Sequence, residues 1–337
     1  MLNIGIIGAG RIGKVHAQSI TFHVKNAQVA AIADPFMNDE TKAWAEGLGI
    51  PKVSSDYHDI LNDPAIDAVL ICSSTNTHAD IAIEAIHAGK NVFCEKPVSQ
   101  DLSKIKEVME ALKGSNVKFQ VGFNRRFDHN FRAVKQNVAD GNIGDVHIVK
   151  ITSRDPDAPS LDYVKVSGGM FLDMTIHDFD MVRYLTGSEV TEVSAYGAAL
   201  VNPQIAEVGD IDTAVITMKL ANGAIAVIDN SRRAAYGYDQ RAEVFGSKGQ
   251  VAVSNDTSST AVVSTENGVT AEKPLYFFLE RYMESFSREV YEFVDAVSNN
   301  TAVPVDINDG LQPVLIAKAA KKSLDEHRPV KLEEITF

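Results

Sequence analysis

The sequence predicts an α/β protein of two domains: a doubly wound parallel sheet, followed by an α+β domain with a large, mostly antiparallel sheet. Over the first third of the chain, short apolar segments alternate with helix-like segments, as in a parallel sheet covered by helices on both faces. After about residue 125 this pattern ends and hairpin signals cluster, which indicates a different fold class. We expect domains at 1–124 and 125–337, and the C-terminal helices could pack back on the first.

Each predicted element of the first domain is a short apolar strand or an amphipathic helix. The strands are Asn3–Ile7, Val29–Ala33, Ala68–Cys72, Asn91–Cys94 and Lys118–Val121, and the helices between them are Ile12–Ile20, Asp39–Leu48, His78–Ala88 and Leu102–Leu112. Right-handed crossovers would place these helices on both faces of the sheet.

The second domain is predicted from alternating strands and their turns. The strands are Val146–Ile151, Val190–Tyr196, Thr213–Leu220, Ala224–Asp229, Ala242–Phe245 and Gln250–Val253, and Asn-Gly pairs at 222–223 and 267–268 mark hairpin turns. A helix is predicted over Glu280–Val297, with Tyr282, Phe286, Val290, Phe293 and Val297 on one apolar stripe.

Composition excludes several classes of function. With 32 basic and 45 acidic residues the net charge is −13, which argues against a nucleic-acid binder. No apolar run reaches the roughly 18 residues that a membrane helix needs, and the N-terminus lacks the features of a signal peptide. The only two cysteines, Cys72 and Cys94, each end an apolar strand. We therefore expect buried structural thiols and a cytoplasmic protein that binds no membrane.

A glycine-rich turn follows the first strand and opens the first helix, which is the context that makes G-x-G-x-x-G informative. Gly8 allows the tight turn, Gly10 allows a pyrophosphate to approach the backbone, and Gly13 allows close helix–strand packing. The second strand ends at Asp34, whose carboxylate can accept hydrogen bonds from ribose hydroxyls and repel a 2′-phosphate. The motif predicts a dinucleotide-binding Rossmann domain that uses NAD, with Arg11 and Ile12 in the same loop.

Loops after the next strands supply further candidates, because ligands bind beyond the carboxyl ends of parallel strands. Ser73, Ser74 and Asn76 are candidates for cofactor contacts, although Asn76 or Thr77 could instead cap the helix that starts at His78. Position alone leaves Lys96 in Glu95-Lys96-Pro97 undecided between an active-site cation and a solvated surface lysine.

Asp173 and His177 stand four residues apart in GGMFLDMTIHDFDM, so that on one helix they would share a face. The carboxylate could then orient the imidazole as a general acid–base. A metal site is disfavoured, because the nearby Asp178 and Asp180 have no second histidine or cysteine beside them. Polar loops at 124–126, 154–157 and 236–241 could line a hydroxyl-rich ligand or be solvated turns.

Taken together, GIIGAGRIGKVHA, the terminal Asp34, CSSTNTHA, CEKP, FNRRFD, GGMFLDMTIHDFDM and YGYDQR resemble the Gfo/Idh/MocA oxidoreductase family over the full length. The resemblance implies a Rossmann domain, a second domain whose open sheet mediates a homotetramer, and NAD-dependent oxidation of a cyclic polyol such as myo-inositol. In that family the bond matching Lys96–Pro97 is often cis.

The resemblance also implies residue roles. Lys96, Asp173 and His177 match the catalytic residues of the family. The implied cofactor contacts are Gly8, Gly10, Arg11, Ile12, Gly13, Asp34, Ser73, Ser74, Asn76, His78, Glu95, Lys96 and Arg126. The implied substrate contacts are Lys96, Arg126, Asp155, Asp157, Asp173, His177 and Tyr236. Either His177 or Lys96 could accept the hydroxyl proton. Alternative functions are oxidation of scyllo-inositol or of an aldose, a non-enzymatic NAD-dependent sugar sensor, and carbon–oxygen bond hydrolysis with tightly held NAD.

Overall fold

A computed structural model describes residues 1–336; Phe337, the last residue of the predicted second domain, lies outside the described residues. The chain divides into two compact units. The first comprises Met1–Phe127 and Met283–Gln312, and the second comprises Asp128–Tyr282 and Pro313–Thr336. The first unit therefore extends three residues beyond the predicted boundary, to the end of a 3-10 turn at Asn124–Phe127.

The sheet of the first unit has six parallel strands, which confirms the predicted doubly wound class. The strands are Leu2–Ile7 (β1), Ala27–Ala33 (β2), Lys52–Ser54 (β3), Ala68–Ile71 (β4), Asn91–Glu95 (β5) and Phe119–Gly122 (β6), in the order β3-β2-β1-β4-β5-β6. Strand β3 was not predicted, because three residues at a sheet edge carry too short an apolar signal. The reversal of order between β1 and β4 is where doubly wound sheets bind ligands.

Helices alternate with these strands. They are Arg11–His23 (α1), Asp39–Gly47 (α2), His58–Leu61 (α3), His78–His87 (α4) and Leu102–Leu112 (α5), with a 3-10 turn at Thr75–Thr77 before α4. Asn38 and Asp101 cap α2 and α5 by accepting backbone N–H groups. The helices mapped by periodicity are all present, and α3 is additional because a single turn carries no periodic signal.

The second unit is built on a mixed, mostly antiparallel sheet, as predicted. Its strands are Val146–Arg154 (β7), Val190–Ala198 (β8), Thr213–Leu220 (β9), Ile225–Ser231 (β10), Asp239–Gly246 (β11), Gly249–Val253 (β12) and Val330–Lys331 (β15), in the order β12-β11-β7-β10-β9-β8-β15. Among the described strands of this sheet, β7 and β10 are the only parallel pair. A separate exposed hairpin, Val262–Thr265 (β13) with Gly268–Ala271 (β14), confirms the turn predicted at Asn267-Gly268.

One face of this large sheet is buried against helices and the other is exposed. Along β9, residues alternate strictly between buried and exposed from Ala214 to Leu220. The helices of the second unit are His129–Ala139 (α6), Leu161–Ser167 (α7), Met170–Asp173 (α8), Ile176–Thr186 (α9), Gln204–Glu207 (α10) and Phe278–Arg281 (α11).

Two more helices complete the chain: Met283–Asn299 (α12) and Ile307–Glu326 (α13). The helix predicted over 280–297 is confirmed from Met283 onward as α12, but its first three residues are not part of it, since Tyr282 has φ −117° and ψ 15° and separates α11 from α12. Its ring instead packs edge-on against Tyr238 of the second unit at 5.9 Å. Val290, Phe293 and Val294 of α12 are buried in the core of the first unit, which places residues 283–312 there. Within residues 1–336, no helix combines the length and apolarity required to cross a bilayer.

Candidate active site

The glycine turn between β1 and α1 is closely packed, as its sequence predicts. Gly8 has φ +104°, a conformation that favours glycine. A Cβ on Gly13 would lie 1.9 Å from the carbonyl oxygen of Gly8, so only glycine permits this approach of α1 to the turn. By contrast, a Cβ on Gly10 would meet no atom within 4 Å. The space above Gly10 is therefore open to a ligand.

The start of α1 suits a phosphate. Gly10 precedes the helix and no side chain caps it, so its first N–H groups are available to a ligand. Arg11 and Ile12 form the first turn beside it. These free donors and the positive end of the helix dipole bind anions despite the negative net charge of the protein. The loop thus fits the pyrophosphate of a dinucleotide.

Asp34 is fixed at the end of β2 by two backbone hydrogen bonds. Its Oδ2 accepts the N–H of Ala9 at 2.7 Å, and its Oδ1 accepts the N–H of Phe36 at 2.8 Å. The first bond ties the carboxylate directly to the glycine turn. An anion held here suits ribose hydroxyls and opposes a 2′-phosphate. The residues of this edge therefore fit NAD.

The loop after β4 is organised by its own polar groups. Ser73 Oγ lies 2.7 Å from Thr77 Oγ1, which donates to the carbonyl oxygen of Ser74. Ser74 and Asn76 are exposed, and no side chain caps α4 at Thr77, so the capping alternative for Asn76 is wrong. His78 is buried between two carbonyl oxygens: Nδ1 lies 2.9 Å from that of Pro97 and Nε2 lies 3.0 Å from that of Ser73. His78 therefore holds the turn after β5 against this loop.

Lys96 lies in the turn after β5, and the side chain of Glu95 forms a hydrogen bond with the backbone of this turn. The backbone N–H of Lys96 donates to Glu95 Oε2 at 3.3 Å, and Glu95 Oε1 lies 2.7 Å from His16 Nε2. The Lys96–Pro97 peptide bond is cis. The family resemblance implies a cofactor contact for Glu95; in the structure this side chain is buried and hydrogen-bonded to His16.

Arg126 is held by an acidic residue that the sequence did not single out. Its Nη1 and Nη2 donate to the two carboxylate oxygens of Asp309, in the first turn of α13, at 3.1 and 2.9 Å. A bidentate pair fixes the plane of the guanidinium. Arg126 is therefore a positioned cation within the first unit.

In the second unit, Arg232 joins two of the predicted site carboxylates. Its Nη2 donates to Asp173 Oδ2 at 2.8 Å, and its Nη1 lies 3.6 Å from Asp155 Oδ2. Tyr163 donates from its hydroxyl to the other Asp173 oxygen at 2.7 Å. Arg232 is buried, so these carboxylates face a fixed, desolvated cation. Arg232 was not predicted, because an Arg-Arg pair after a strand gives no signal of its partners.

The single helix assumed for Asp173 and His177 is wrong. Asp173 ends α8 and His177 lies in the first turn of α9, with Met174 and Thr175 between the two helices. The break is stabilised by a buried network: Thr175 Oγ1 donates to Asn230 Oδ1 at 2.6 Å, and Asn230 Nδ2 donates to Asp178 Oδ2 at 2.9 Å. Asn230 thereby anchors the start of α9 to the end of β10, and so sets the position of His177.

Asp157 and Tyr236 line a cavity of about 510 Å³ within the second unit. Its wall also includes Tyr276, whose hydroxyl donates to Asp157 Oδ2 at 3.1 Å. The Tyr236 hydroxyl donates to Asp239 Oδ2 at 2.6 Å and accepts from Arg154. Burial and the bond to Asp239 raise the pKa of Tyr236, so it stays a neutral hydroxyl. Tyr276 was not predicted as a site residue, because it follows a segment without a periodic pattern.

Comparison with known proteins decides the family. Residues 2–123 match the model of an oxidoreductase family with an NAD-binding Rossmann fold, and residues 131–252 match the GFO/IDH/MocA C-terminal domain. The myo-inositol 2-dehydrogenase of Thermotoga maritima is 49% identical over 334 residues, covering 99% of each chain. The chain belongs to the Gfo/Idh/MocA oxidoreductase family.

Two further members of the Gfo/Idh/MocA family extend the comparison. The inositol 2-dehydrogenase of Rhizobium meliloti is 43% identical over 332 residues, covering 98% of this chain and 99% of the relative. A crystal structure of a scyllo-inositol dehydrogenase from Lactobacillus casei, with bound NAD(H) and scyllo-inositol, is similar with a TM-score of 0.91 at 33% identity, over 99% of both chains. The protein is thus an NAD-dependent oxidoreductase that binds its cofactor through the Rossmann domain, as predicted.

Both cysteines of this Gfo/Idh/MocA protein are free and buried, which confirms their predicted structural role. Burial raises the pKa of each thiol, so neither is a thiolate near neutral pH. Two groups of carboxylates and histidines that no sequence motif predicts come together in the described part of the chain: His16 with Glu95 and Glu289, and Asp128 with His129 and Asp256. In the second group, Arg281 is paired with both acidic residues.

Proposed function

We propose that this enzyme oxidises a secondary alcohol of a cyclic polyol, myo-inositol, to the ketone. The observation that carries the proposal is the near full-length identity of 49% and 43% with two enzymes named as inositol 2-dehydrogenases. The cavity beside Asp157 and Tyr236 supports it, because carboxylate and phenol groups offer the acceptors and donors that a ring of hydroxyls requires.

We propose that His177 accepts the hydroxyl proton, that Asp173 stabilises the resulting imidazolium, and that Lys96 donates a hydrogen bond to the alcohol oxygen. When bound, NAD supplies the acceptor for the hydride of the carbinol carbon. Asp173 is suited to its role because Arg232 and Tyr163 keep its carboxylate oriented. General acid–base assistance of this kind contributes about 10²- to 10⁴-fold in rate. The alternative assigns proton acceptance to Lys96, with His177 binding a neighbouring hydroxyl.

We further propose that Arg126, Asp155, Asp157 and Tyr236 bind the other hydroxyls of the ring. The orientation of Arg126 by Asp309 and of Asp155 by Arg232 supports this, because hydroxyl recognition needs side chains held in one rotamer before the ligand arrives. Scyllo-inositol is the second candidate substrate. It is favoured by the similarity to the Lactobacillus casei enzyme whose structure contains it.

We also propose a homotetramer that assembles through the exposed face of the large sheet. That face carries large apolar side chains on several strands: Tyr196, Val215, Ile225 and Phe245. Apolar residues repeated across adjacent strands on an uncovered face are typical of an association surface. Light scattering coupled to size-exclusion chromatography tests this. A chain that remains monomeric at micromolar concentration would contradict it.

The decisive experiment measures NADH formation by the purified protein with myo-inositol, scyllo-inositol, glucose, xylose and a glycoside, with NADP in place of NAD as the cofactor control. We expect the highest kcat/KM with myo-inositol and NAD. Lys96→Ala serves as the matched inactive variant. If no polyol reduces NAD, the dehydrogenase proposal fails, and binding without turnover would favour a sensor. Net release of the aglycone from the glycoside would favour hydrolysis.

A further inference from the structure

Three titratable side chains from distant parts of the chain meet inside the first unit, directly below the Lys96 turn. They are His16 on α1, Glu95 at the end of β5 and Glu289 on α12. His16 Nε2 lies 2.7 Å from Glu95 Oε1 and 4.0 Å from Glu289 Oε1. His16 and Glu289 are completely buried, and Phe93 and Phe286 pack edge-on against the imidazole. Nothing in the proposed reaction accounts for Glu289.

The Glu289 side chain forms no hydrogen bond. Both of its carboxylate oxygens are buried without a hydrogen-bond partner, and one of them lies within 4.8 Å of ligand atoms of both His16 and Glu95. The elements packed on this part of α12 carry other titratable or charged groups, namely Cys94 on β5, Cys72 after β4, and Arg125 and Arg126 in the 3-10 turn at 124–127. Of the two arginines, Arg126 is paired with Asp309, and neither donates to Glu289.

Two buried carboxylates this close cannot both carry a charge at low cost. A negative charge is more stable on Glu95 than on Glu289, because Glu95 is hydrogen-bonded to His16 and accepts the backbone N–H of Lys96. Glu289 has no such stabilisation. Burial first, and then the charge of Glu95, raise the pKa of Glu289 well above its ordinary value.

We propose that Glu289 is a neutral, protonated acid at neutral pH and acts as a positioning residue, keeping Glu95 in place beneath Lys96. Ionisation of Glu289 would add a second negative charge beside Glu95, on a buried carboxylate that no hydrogen bond stabilises. Repulsion between the two carboxylates would then push Glu95 away from the backbone N–H of Lys96. The turn that carries this lysine would lose that hydrogen bond and become more mobile. The part of the inference that concerns activity rests on the role proposed for Lys96.

The protonation state is tested by unfolding, which needs no substrate. A group whose folded pKa is raised stabilises the protein fully below its unfolded pKa, and this stabilisation is lost as pH rises toward the folded value. The Glu289→Gln variant has no ionisable group at this position, so its stability does not fall with pH for this reason. The folding equilibrium constant of Glu289→Gln relative to wild type should therefore rise by up to about tenfold per pH unit between pH 5.5 and 7.5.

Asp295→Asn is the matched control, since it removes an exposed carboxylate from the solvent side of the same helix and should give a flat ratio. A flat or falling ratio for Glu289→Gln would overturn the proposal. So would a chelator that destabilises wild type but not Glu289→Gln, because the three side chains would then hold a divalent cation instead of a proton.

The positioning role is tested by kcat for polyol oxidation between pH 7 and 10. Wild type should lose kcat at alkaline pH as Glu289 ionises, whereas Glu289→Gln should retain it to higher pH, with KM for NAD little changed. Identical alkaline limbs in the two proteins would overturn this role. A protein that oxidises no polyol refutes the proposed function, yet the unfolding ratio still decides whether Glu289 holds a proton.

Discussion

Arg232 Nη2 donates to Asp173 Oδ2 across 2.8 Å. This bond connects the residue that follows β10 with the short helix α8, which carries a predicted catalytic carboxylate. The same guanidinium lies 3.6 Å from Asp155. Arg232 thus determines the positions of two acidic groups that are 18 residues apart in the sequence. The Asp173 carboxylate, held in this way, has little freedom to move away from Arg232.

Replacement of this arginine should be costly for that reason. Arg232→Met keeps the aliphatic volume but removes the cation between Asp155 and Asp173. Breaking a buried ion pair by removing one partner destabilises by about 3–5 kcal/mol, so we expect a loss of this size in the free energy of unfolding measured in urea. Arg233→Met, at the exposed neighbouring position, should change it by less than about 0.5 kcal/mol. Equal effects of the two variants would show that the ion pairs do not matter.

The two glycines of the turn should separate folding from cofactor binding. Gly10→Ala meets open space in the protein, so its stability should change by less than about 1 kcal/mol. Its new methyl group would occupy the approach to the pyrophosphate, and we expect the Kd for NADH to rise at least about tenfold. Fluorescence titration with NADH measures this. Unchanged affinity would place the pyrophosphate elsewhere.

Gly13→Ala is the contrasting variant. Its Cβ would lie 1.9 Å from a backbone carbonyl oxygen that cannot move aside without shifting the turn. Overpacking of this kind costs about 1–3 kcal/mol or more, so the thermal midpoint should fall by several degrees. A midpoint equal to that of wild type would show that α1 can withdraw from β1 at no cost.

Asp34 should control the choice between NAD and NADP. Asp34→Ser removes the carboxylate that accepts from Ala9 and Phe36, and with it the repulsion of a 2′-phosphate. We expect the ratio of kcat/KM for NAD over NADP to fall about 10- to 100-fold. Asp39→Ser, which removes an exposed carboxylate at the start of α2, should leave the ratio unaltered. A ratio that is insensitive to Asp34 would contradict its contact with ribose.

Lys96→Ala and His177→Ala should fold and bind NADH, yet lose about 10²- to 10⁴-fold in kcat. Steady-state rates with the preferred polyol, and NADH titrations of the same preparations, check both halves of this expectation. Lys113→Ala, an exposed lysine at the end of α5, should retain wild-type turnover. Full activity in either site variant would remove that residue from the proposed mechanism.

The glycine turn and Asp34 of the Rossmann domain could be predicted from the sequence, because each depends on a pattern of neighbouring residues. Gly8, Gly10 and Gly13 belong to a single turn, and the apolar segments around them have the lengths of buried strands. Asp34 was found at the end of the second strand by spacing alone, and the parallel order then places it beside the turn. Local conformation and sheet order are enough to determine such a site.

The two predicted helices that the structure interrupts differ from prediction for the same reason, namely tertiary contacts. The break between Asp173 and His177 depends on Asn230, and the interruption at Tyr282, near the start of the helix predicted over 280–297, depends on packing against Tyr238. In both cases, helical periodicity continued through a position where a partner from another element favoured a different backbone conformation.

The sequence by itself determined the fold class, the cofactor and the residue types available for acid–base chemistry, since these depend on hydrophobic period, glycine spacing and strand ends. Only the tertiary structure decided which charges face one another. Asp309 reaches Arg126 across 183 positions of the chain, Arg232 reaches Asp173 across 59, and Glu289 comes to lie beside Glu95 with neither carboxylate oxygen hydrogen-bonded. Electrostatic energy depends on distance and burial in the folded protein, and neither quantity can be read from separation along the chain.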